Sequence, residues 1–270
     1  MDLLSTLLRS PVAEDDKYSR GVVGFVTGST SYPGAAILGV TAAMRTGVGM
    51  VRWIGPESVG HMLLEVRPEV VIQDGRAQAW VLGSGIPADP SDSQTETVQS
   101  HLSEAKHAVI DAGALEFVNF ETLSAESILT PHAGELSRLL ARFGDIWSRY
   151  EVENSPIEAA KLAALRTGQV VLLKGNVTTI ADPSGNSWQT PPANPALATA
   201  GSGDVLAGIL GALIAGNVSK LESGEVALAQ VAMAGALLHA RAGAVAAESG
   251  PVVALDIAEA LRSVVGGILD

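Results

Sequence analysis

Short apolar runs recur along the chain, and polar or small-residue segments separate them. Runs of this length, rich in Val, Ile and Leu and closed by glycine or a polar residue, are typical of strands buried in a sheet. They predict strands at residues 21–28, 50–55, 79–85, 107–113, 127–130 and 169–175. Because helical patterns lie between several of these runs, we expect parallel βαβ units with helices on both faces. The pattern therefore predicts an α/β fold, a three-layer α/β/α sandwich around a mostly parallel central sheet.

The clearest helix signal is SPIEAAKLAALRTG (155–168). Ser155 is placed as the N-cap, and Glu158 would complete a capping box. Pro156 suits the first helical position, and Gly168 follows the last turn. Further helices are predicted at residues 35–47, 203–216, 223–247 and 255–268.

Residues 176–190 differ from this alternation, because a turn cluster, DPSGN, separates two short β-like runs and predicts a hairpin. Residues 1–20 are polar and mixed, and we expect them to be poorly ordered. The chain has 270 residues and 47% hydrophobic content, which is enough for one large core. A single domain over residues 1–270 is the resulting expectation.

Charge and composition exclude several classes of function. The chain has 17 Lys and Arg against 29 Asp and Glu, a formal net charge of −12, so neither nucleic acid nor a membrane is an expected partner. The absence of cysteine excludes disulfides, thiolate catalysis and Cys-ligated metals. The N-terminus lacks the pattern of a signal peptide, and the longest apolar run, residues 205–216, is too short to cross a bilayer. We therefore expect a cytoplasmic protein.

Several predicted strands end in glycine or polar residues. Examples are Gly28, Asp111, His132 and Lys174. In an open sheet of parallel strands, ligands bind beyond the carboxyl ends of the strands. We therefore expect these residues to gather along one edge of the sheet.

The strongest chemical signal is Gly201-Ser202-Gly203-Asp204, directly before an apolar helix. The glycines permit a tight turn, so that consecutive N–H groups and the helix N-terminus point at one place, which suits a phosphate. Asp204 is then placed to accept a proton from a hydroxyl that attacks this phosphate. The structural alternative is an ordinary glycine-rich helix start that Asp204 caps.

This segment resembles the anion-hole signature of the ribokinase-like superfamily. Other segments narrow the resemblance to the ADP/ATP-dependent NAD(P)H-hydrate dehydratases, and they follow the order of that family over about residues 20–245. They are GFVTGSTSYPGAAILGVTAAMRTGVGMVR (24–52), PEVV (68–71), WVLGSGI (80–86), VIDAGAL (109–115), ILTPHAGEL (128–136) and VVLLKGNVTTIADPSGN (170–186). The resemblance implies a ribokinase-like fold and a hydro-lyase that repairs hydrated NADH and NADPH. Such enzymes phosphorylate the ring hydroxyl with ADP or ATP and then eliminate phosphate.

The same resemblance assigns roles to individual residues. It implies catalytic roles for Asp204, Gly201, Ser202 and Gly203. It implies nucleotide binding by Lys174, Gly175, Asn176, Val177, Thr178 and Gly203. It implies contacts with the hydrated dinucleotide by Ala35, Gly85, His132 and Asp204. Mg²⁺ is expected to bridge the nucleotide phosphates, with no protein ligand assigned. A homotetramer and a functional pairing with a separate NAD(P)H-hydrate epimerase are implied as well.

One departure from the family and three alternatives remain open. Gly113 replaces the second Asp of the family's D-A-D-A-L, which motivates a catalytically silent nucleotide-binding protein. A ribokinase-fold kinase of a vitamin alcohol (thiazole, pyridoxal or pyrimidine) would keep the fold and change the substrate. Gly83-x-Gly85-x-x-Ala88 resembles a dinucleotide-binding fingerprint, but Pro87 interrupts the helix that should begin there. Inside the long predicted helix, we expect His239 and Arg241 to be packing or surface residues.

Overall fold

A computed structural model describes residues 3–88 and 93–270. Its centre is one eight-stranded sheet with the order β2-β1-β3-β4-β5-β6-β7-β8. The strands are β1 (Val22–Val26), β2 (Met50–Ile54), β3 (Ala79–Leu82), β4 (His107–Ile110), β5 (Glu126–Leu129), β6 (Val170–Leu173), β7 (Thr179–Ala181) and β8 (Ser187–Gln189). Neighbouring strands are parallel from β2 through β6, whereas β7 and β8 form the antiparallel hairpin that the turn cluster predicted. The mostly parallel sheet is thereby confirmed.

Helices cover both faces of the sheet. They are α1 (Leu3–Leu7), α2 (Gly34–Thr46), α3 (Glu57–Val66), α4 (Ser93–Glu104), α5 (Ala114–Phe117), α6 (Ala133–Ala141), α7 (Arg149–Asn154), α8 (Pro156–Thr167), α9 (Ser202–Gly216), α10 (Val218–Glu222), α11 (Leu228–Ala247) and α12 (Ala254–Leu269). A 3₁₀ turn, Pro195–Leu197, precedes α9. The helices α1–α3, α9, α11 and α12 share one apolar core, and α4–α8 share the other. The predicted three-layer sandwich is therefore confirmed.

The strands divide their side chains between these two cores because successive residues point to opposite faces. In β3, Val81 packs into the core with α9, whereas Trp80 and Leu82 pack into the core with α4 to α8. Since both faces are buried, strands β1, β3 and β6 read as continuous apolar runs, whereas β2 at the edge of the sheet alternates between buried and half-buried residues. This is why the sequence signals the strands so clearly.

Three local predictions differ from the structure. Ser155 makes no side-chain cap, because it also ends α7 and its N–H bonds Glu151 O, at φ −134° and ψ 57°; the predicted capping box with Glu158 is therefore wrong. The helix predicted at 223–247 begins only at Leu228, because Gly224 turns the chain at φ +74°.

The N-terminal segment is also more regular than expected. Leu4 and Leu7 of α1 are buried in the first core. Asn217 Nδ2 donates to Leu7 O at 2.9 Å, and Lys220 Nζ donates to Thr6 O at 2.6 Å. These bonds attach the segment to the end of α9 and to α10.

Helix α11, with 20 residues, is long and apolar enough to cross a membrane by length and composition. In the structure, half of its apolar window is buried, and it packs on α9 and α12. A core helix of an α/β sandwich meets the same test of length and composition, and α11 occupies that position.

The helices α2 and α9 approach closely through small residues. A Cβ added at Gly208 of α9 would lie 2.0 Å from Gly39 O of α2. Only glycine permits this contact, which places the N-terminus of α9 against the first half of α2. The candidate site depends on this placement.

We expect Gly208→Ala to destabilise the protein by about 1–3 kcal/mol, because the two helices must separate. Gly216→Ala is the matched control on the same helix, since its added Cβ would meet its nearest neighbour, Arg20 O, at 3.8 Å. Denaturant unfolding of both variants measures the difference. Equal effects at the two positions would contradict the packing argument.

Candidate active site

The carboxyl ends of β3, β4, β5 and β6 meet around Asp111, which is 2% exposed. Ser84 Oγ donates to Asp111 Oδ2 at 2.8 Å, and Thr130 Oγ1 donates to Oδ1 at 2.8 Å. Lys174 Nζ completes the set by donating to Oδ1, also at 2.8 Å. The predicted gathering of polar strand ends along one edge is therefore present in the structure.

Lys174 is the cation at this edge of the sheet, and two carboxylates lie close to its ammonium. Its ammonium lies 2.8 Å from Asp111 Oδ1 and 3.7 Å from Glu135 Oε2. Burial alone would lower the pKa of Lys174, but the neighbouring carboxylates, first Asp111 and then Glu135, reverse this and raise its pKa above the ordinary value. Lys174 also holds the pKa of buried Asp111 below its usual range, against the opposing effect of burial. Both groups are therefore charged at neutral pH.

The N-terminus of α9 presents free backbone donors beside this lysine. Gly201 precedes the helix at φ +88°, a conformation that favours glycine, and provides no side-chain cap. The Val205 amide bonds Gly201 O at 3.2 Å, but within the described residues the amides of Gly203 and Asp204 have no protein acceptor. A Cβ added at Gly203 would lie 3.3 Å from Lys174 Nζ. Two amides, a helix N-terminus and an ammonium thus lie together, as an anion requires.

Asp204, in the first turn of α9, has an unusual acidity. Burial raises its pKa to about 7, and the charge of Asp111 adds to this more than Lys174 removes. A carboxylate with this pKa can gain and release a proton near neutral pH, which is the property of a general base. Gly201 occupies the N-cap position of α9 and provides no side-chain cap hydrogen bond, whereas Asp204 lies three residues later, within the first turn.

His132 precedes α6 and caps it. Its Nδ1 accepts from the amides of Gly134 at 3.0 Å and Glu135 at 3.2 Å, while Glu135 Oε2 accepts from the His132 amide at 2.7 Å. Since Nδ1 is an acceptor, the ring proton is on Nε2. Burial lowers the pKa of His132, in agreement with a neutral ring. The predicted site residue is therefore part of a capping box and still reaches the cavities described next.

Two cavities flank the segment that follows β6. The first has a volume of about 590 Å³, and the second about 560 Å³. Both are lined by His132, Lys174, Gly175 and Asn176. Thr178, Ser202 and Gly203 line only the first cavity, whereas Val177 lines only the second. A cavity of this size suits a small molecule such as a nucleotide.

Ala35 and Gly85 lie together, but they do not line either cavity. A Cβ added at Gly85 would lie 2.5 Å from Ala35 Cβ and 3.2 Å from Gly28 Cα. Gly85 follows the end of β3, and Ala35 lies in the first turn of α2, one turn before Gly39, whose added Cβ would lie 3.3 Å from Asp204 O. Ala35 and Gly85 thus lie on the α2 side of Asp204, whereas His132 lies with the predicted nucleotide residues on the β6 side.

The family departure at Gly113 has a packing cause. A Cβ at Gly113 would lie 2.0 Å from Ile86 O, so the loop after β3 leaves no room for a side chain. The preceding residue, Ala112, has φ +48° and completes a tight turn after Asp111. The loop around Ile86 therefore occupies the space that a side chain at position 113 would need, while Asp111 and Lys174 are retained.

The dinucleotide fingerprint at Gly83-x-Gly85-x-x-Ala88 is not formed. Residues 83–88 are turn and loop without a helix, and α4 begins at Ser93. A Cβ at Gly83 would lie 2.2 Å from Asp111 O, so this glycine is used for packing between strand ends. The helix N-terminus that would bind a pyrophosphate is missing from this described segment.

The sequence did not indicate several residues that the structure brings to the site. Glu135, which completes the capping box of α6, also faces Lys174. His239 is buried, as a packing residue would be, but it also lines the first cavity and bonds Ser202. The loop from Ala193 to Thr199 also lines this cavity, and no local pattern could have placed it there. These contacts join segments far apart in the chain.

The described residues contain no group of three or more His, Asp or Glu side chains that can hold a metal ion. Asp111 is already engaged by Ser84, Thr130 and Lys174. A cage built from protein ligands alone therefore does not fit here. Mg²⁺ keeps several waters and is commonly held by substrate phosphates, and a phosphate-held ion is compatible with the arrangement.

Comparison with known proteins agrees with this arrangement. A family model described as NAD(P)H-hydrate dehydratase matches residues 23–263. The chain is 39% identical over 226 residues to a bifunctional NAD(P)H-hydrate repair enzyme of Mycobacterium tuberculosis, covering 80% of this chain and 45% of that protein. It is 33% identical over 281 residues to an ADP-dependent (S)-NAD(P)H-hydrate dehydratase of Neisseria meningitidis, and the match covers 93% of this chain and 88% of that protein. The chain thus spans about half the length of the bifunctional relatives that it matches.

A solved structure has the same fold. It is an ADP/ATP-dependent NAD(P)H-hydrate dehydratase from Bacillus subtilis, co-crystallised with ATP and Mg²⁺. The TM-score is 0.84 at 26% identity, and the superposition covers 98% of this chain and 96% of that one. The ribokinase-like assignment of the fold is therefore confirmed.

We expect Asp204→Asn to stabilise the protein at pH 8 by about 1–3 kcal/mol. In the parent, the folded carboxyl has its pKa raised to about 7, so stability falls as pH rises from the unfolded pKa toward 7. An asparagine does not ionise, so the free energy of unfolding of the variant should exceed that of the parent by an amount that grows between pH 5 and 7 and stays constant above pH 7. Denaturant unfolding across this range measures it.

Asp111→Asn is the control with the opposite sign. Its pKa is lowered in the folded protein, and its loss leaves Lys174 buried without its main partner, so this variant should be less stable at neutral pH. An Asp204→Asn protein that loses stability equally at pH 5 and pH 8 would contradict the raised pKa.

Proposed function

Since the chain belongs to the NAD(P)H-hydrate dehydratase family, we propose that it is an ADP-dependent (S)-NAD(P)H-hydrate dehydratase. It would transfer a phosphoryl group from ADP to the hydroxyl of the hydrated nicotinamide ring and then release phosphate. The products are NADH or NADPH, AMP and phosphate, so the activity is that of a hydro-lyase. One observation supports this most directly: Asp204, with its pKa near 7, lies in the first turn of α9, where the amides of Gly203 and Asp204 are free and the Lys174 ammonium lies close to Gly203.

Each group would contribute a separate part of the reaction. Asp204 accepts the proton of the ring hydroxyl as its oxygen attacks phosphorus, which breaks the bond to the leaving AMP oxygen. The amides of Gly203 and Asp204 donate to the transferred phosphoryl group, and the turn at Gly201 and Ser202 aims them. Lys174 offsets the charge that builds up on the phosphate oxygens.

The two sides of Asp204 suit the two ligands. We place the adenine nucleotide along residues 174–178 and Gly203, where the cavities lie. The hydrated dinucleotide would approach from the side of Ala35 and Gly85, and His132 would contact it from the end of β5. Mg²⁺, held by the nucleotide phosphates, would neutralise part of their charge.

The alternatives differ in what they predict for the same site. A kinase of a vitamin alcohol would use the same base and amides, and the family match favours the hydrated dinucleotide as substrate. A silent nucleotide-binding protein would not need a base of raised pKa, and the retained Asp204, Asp111 and Lys174 favour an active enzyme over it.

The assembly and the cellular setting are further parts of the proposal. We expect a homotetramer in the cytoplasm that works with a separate NAD(P)H-hydrate epimerase. The bifunctional relatives support the epimerase pairing, because their names join two activities and this chain spans about half of their length.

The direct test supplies hydrated NADH, ADP and Mg²⁺ and follows the return of reduced-nicotinamide absorbance. Asp204→Asn should lower kcat about 10²–10⁴-fold, because a positioned base is lost, while calorimetric ADP affinity persists. Asp15→Asn, which removes a carboxylate paired with Arg9 at 2.6 Å in the N-terminal segment, should leave the rate unchanged. No return of absorbance in the parent protein would refute the proposed function.

The pH dependence provides a second test. Below about pH 7, Asp204 is protonated and cannot accept the hydroxyl proton, because burial raises its pKa. At saturating ADP, kcat/KM for the hydrated dinucleotide should therefore rise as much as tenfold per pH unit up to about 7 and then level off. A profile that is already flat from pH 5 to pH 8 would exclude Asp204 as the base.

A further inference from the structure

Ser202 and His239 form a buried pair at the mouth of α9. Ser202 Oγ and His239 Nε2 are hydrogen bonded at 3.1 Å, although 37 positions separate the residues in the chain. The residues are 7% and 9% exposed, and both line the first cavity. The proposed reaction gives His239 no role.

A serine that is hydrogen bonded to a histidine and lies beside backbone donors could in principle be a nucleophile that the histidine activates. Such a nucleophile needs a histidine that can take the hydroxyl proton near neutral pH. Burial lowers the pKa of His239 to about 4, against the opposing effect of the Ser202 backbone, so the ring is a weak base. The pair is therefore better suited to hold a fixed geometry than to attack a phosphate.

The first turn of α9 has few other attachments. Gly201 supplies no side-chain cap, and the Ser202 amide reaches Thr199 O only at 3.3 Å. The two following amides, of Gly203 and Asp204, have no protein acceptor within the described residues. The hydrogen bond from Ser202 to His239 thus ties the start of α9 to α11, at the residue directly before these two amides.

We propose that His239 is a positioning residue: by holding the Ser202 side chain against α11, it aims the amides of Gly203 and Asp204 at the transferred phosphoryl group. This inference rests on the proposed function. It also explains why an uncharged ring suits this place: a histidinium would add a second cation close to Lys174.

The test is a double-mutant cycle with Ser202→Ala and His239→Leu, with His239→Gln as the conservative variant. Each single variant should lower kcat about three- to tenfold, the loss expected for one hydrogen bond, with little change in the KM for ADP. The double variant should be no slower than the slower single variant, because both remove the same bond. His239→Gln, whose amide reaches to the same place, should recover most of kcat.

His107→Leu is the matched control, because it removes another buried histidine ring, in β4, that lines neither cavity. It should leave kcat unchanged. Additive losses in the double variant would overturn the proposal, because they would show that the two side chains act independently. A change confined to the KM for ADP would also overturn it, and it would indicate that His239 contacts the nucleotide directly.

The proposed function and this inference can fail separately. If the parent protein restores no reduced nicotinamide, the proposed function is refuted, and the same four proteins are compared by the NMR chemical shifts of the Gly203 and Asp204 amides. Equal shift changes in the two single variants and the double variant would then still support the positioning role, whereas additive changes, or no change, would overturn it. A parent protein that binds no ADP overturns both.

Discussion

The site depends on an imbalance of charge around one ammonium. Three carboxylates, those of Asp111, Glu135 and Asp204, act on Lys174 in a region largely removed from water. Asp111 takes the short ion pair and stays ionised. Burial first, and then the negative charge of Asp111, disfavours ionisation of Asp204. A carboxylic acid thereby acquires the acidity of a general base without a second base or a metal cluster among its described neighbours.

The backbone around this charge is held by close packing rather than by caps. Gly208 and Gly39 let α9 approach α2, and Gly201 turns the chain into α9 with positive φ. Bulkier residues at these glycines would displace the N-terminus of α9 from its position against α2. The free amides and the ionised form of Asp204 are unfavourable for stability, and the two large apolar cores on either side of the sheet offset this cost.

Local signals identified most elements, because buried parallel strands read as apolar runs and glycine or proline marks many of their ends. They failed where neighbouring elements compete for the same residue. Ser155 has the sequence of an N-cap, but it is also the C-cap of the preceding helix, and with the backbone angles of that position its side chain makes no cap hydrogen bond. The start of α11 was misplaced for a similar reason, since apolar Val226 belongs to the turn before it.

By itself, the sequence determined the sandwich, the edge of the sheet at which the polar strand ends gather, and the residue types found there, because these follow from periodicity and short-range motifs. Only the tertiary structure decided which of these groups touch. The bond between Ser202 and His239, the burial of Asp111 and the pKa of Asp204 all arise between segments distant in the chain. Burial and distance set these properties, and no local pattern of residues contains either quantity.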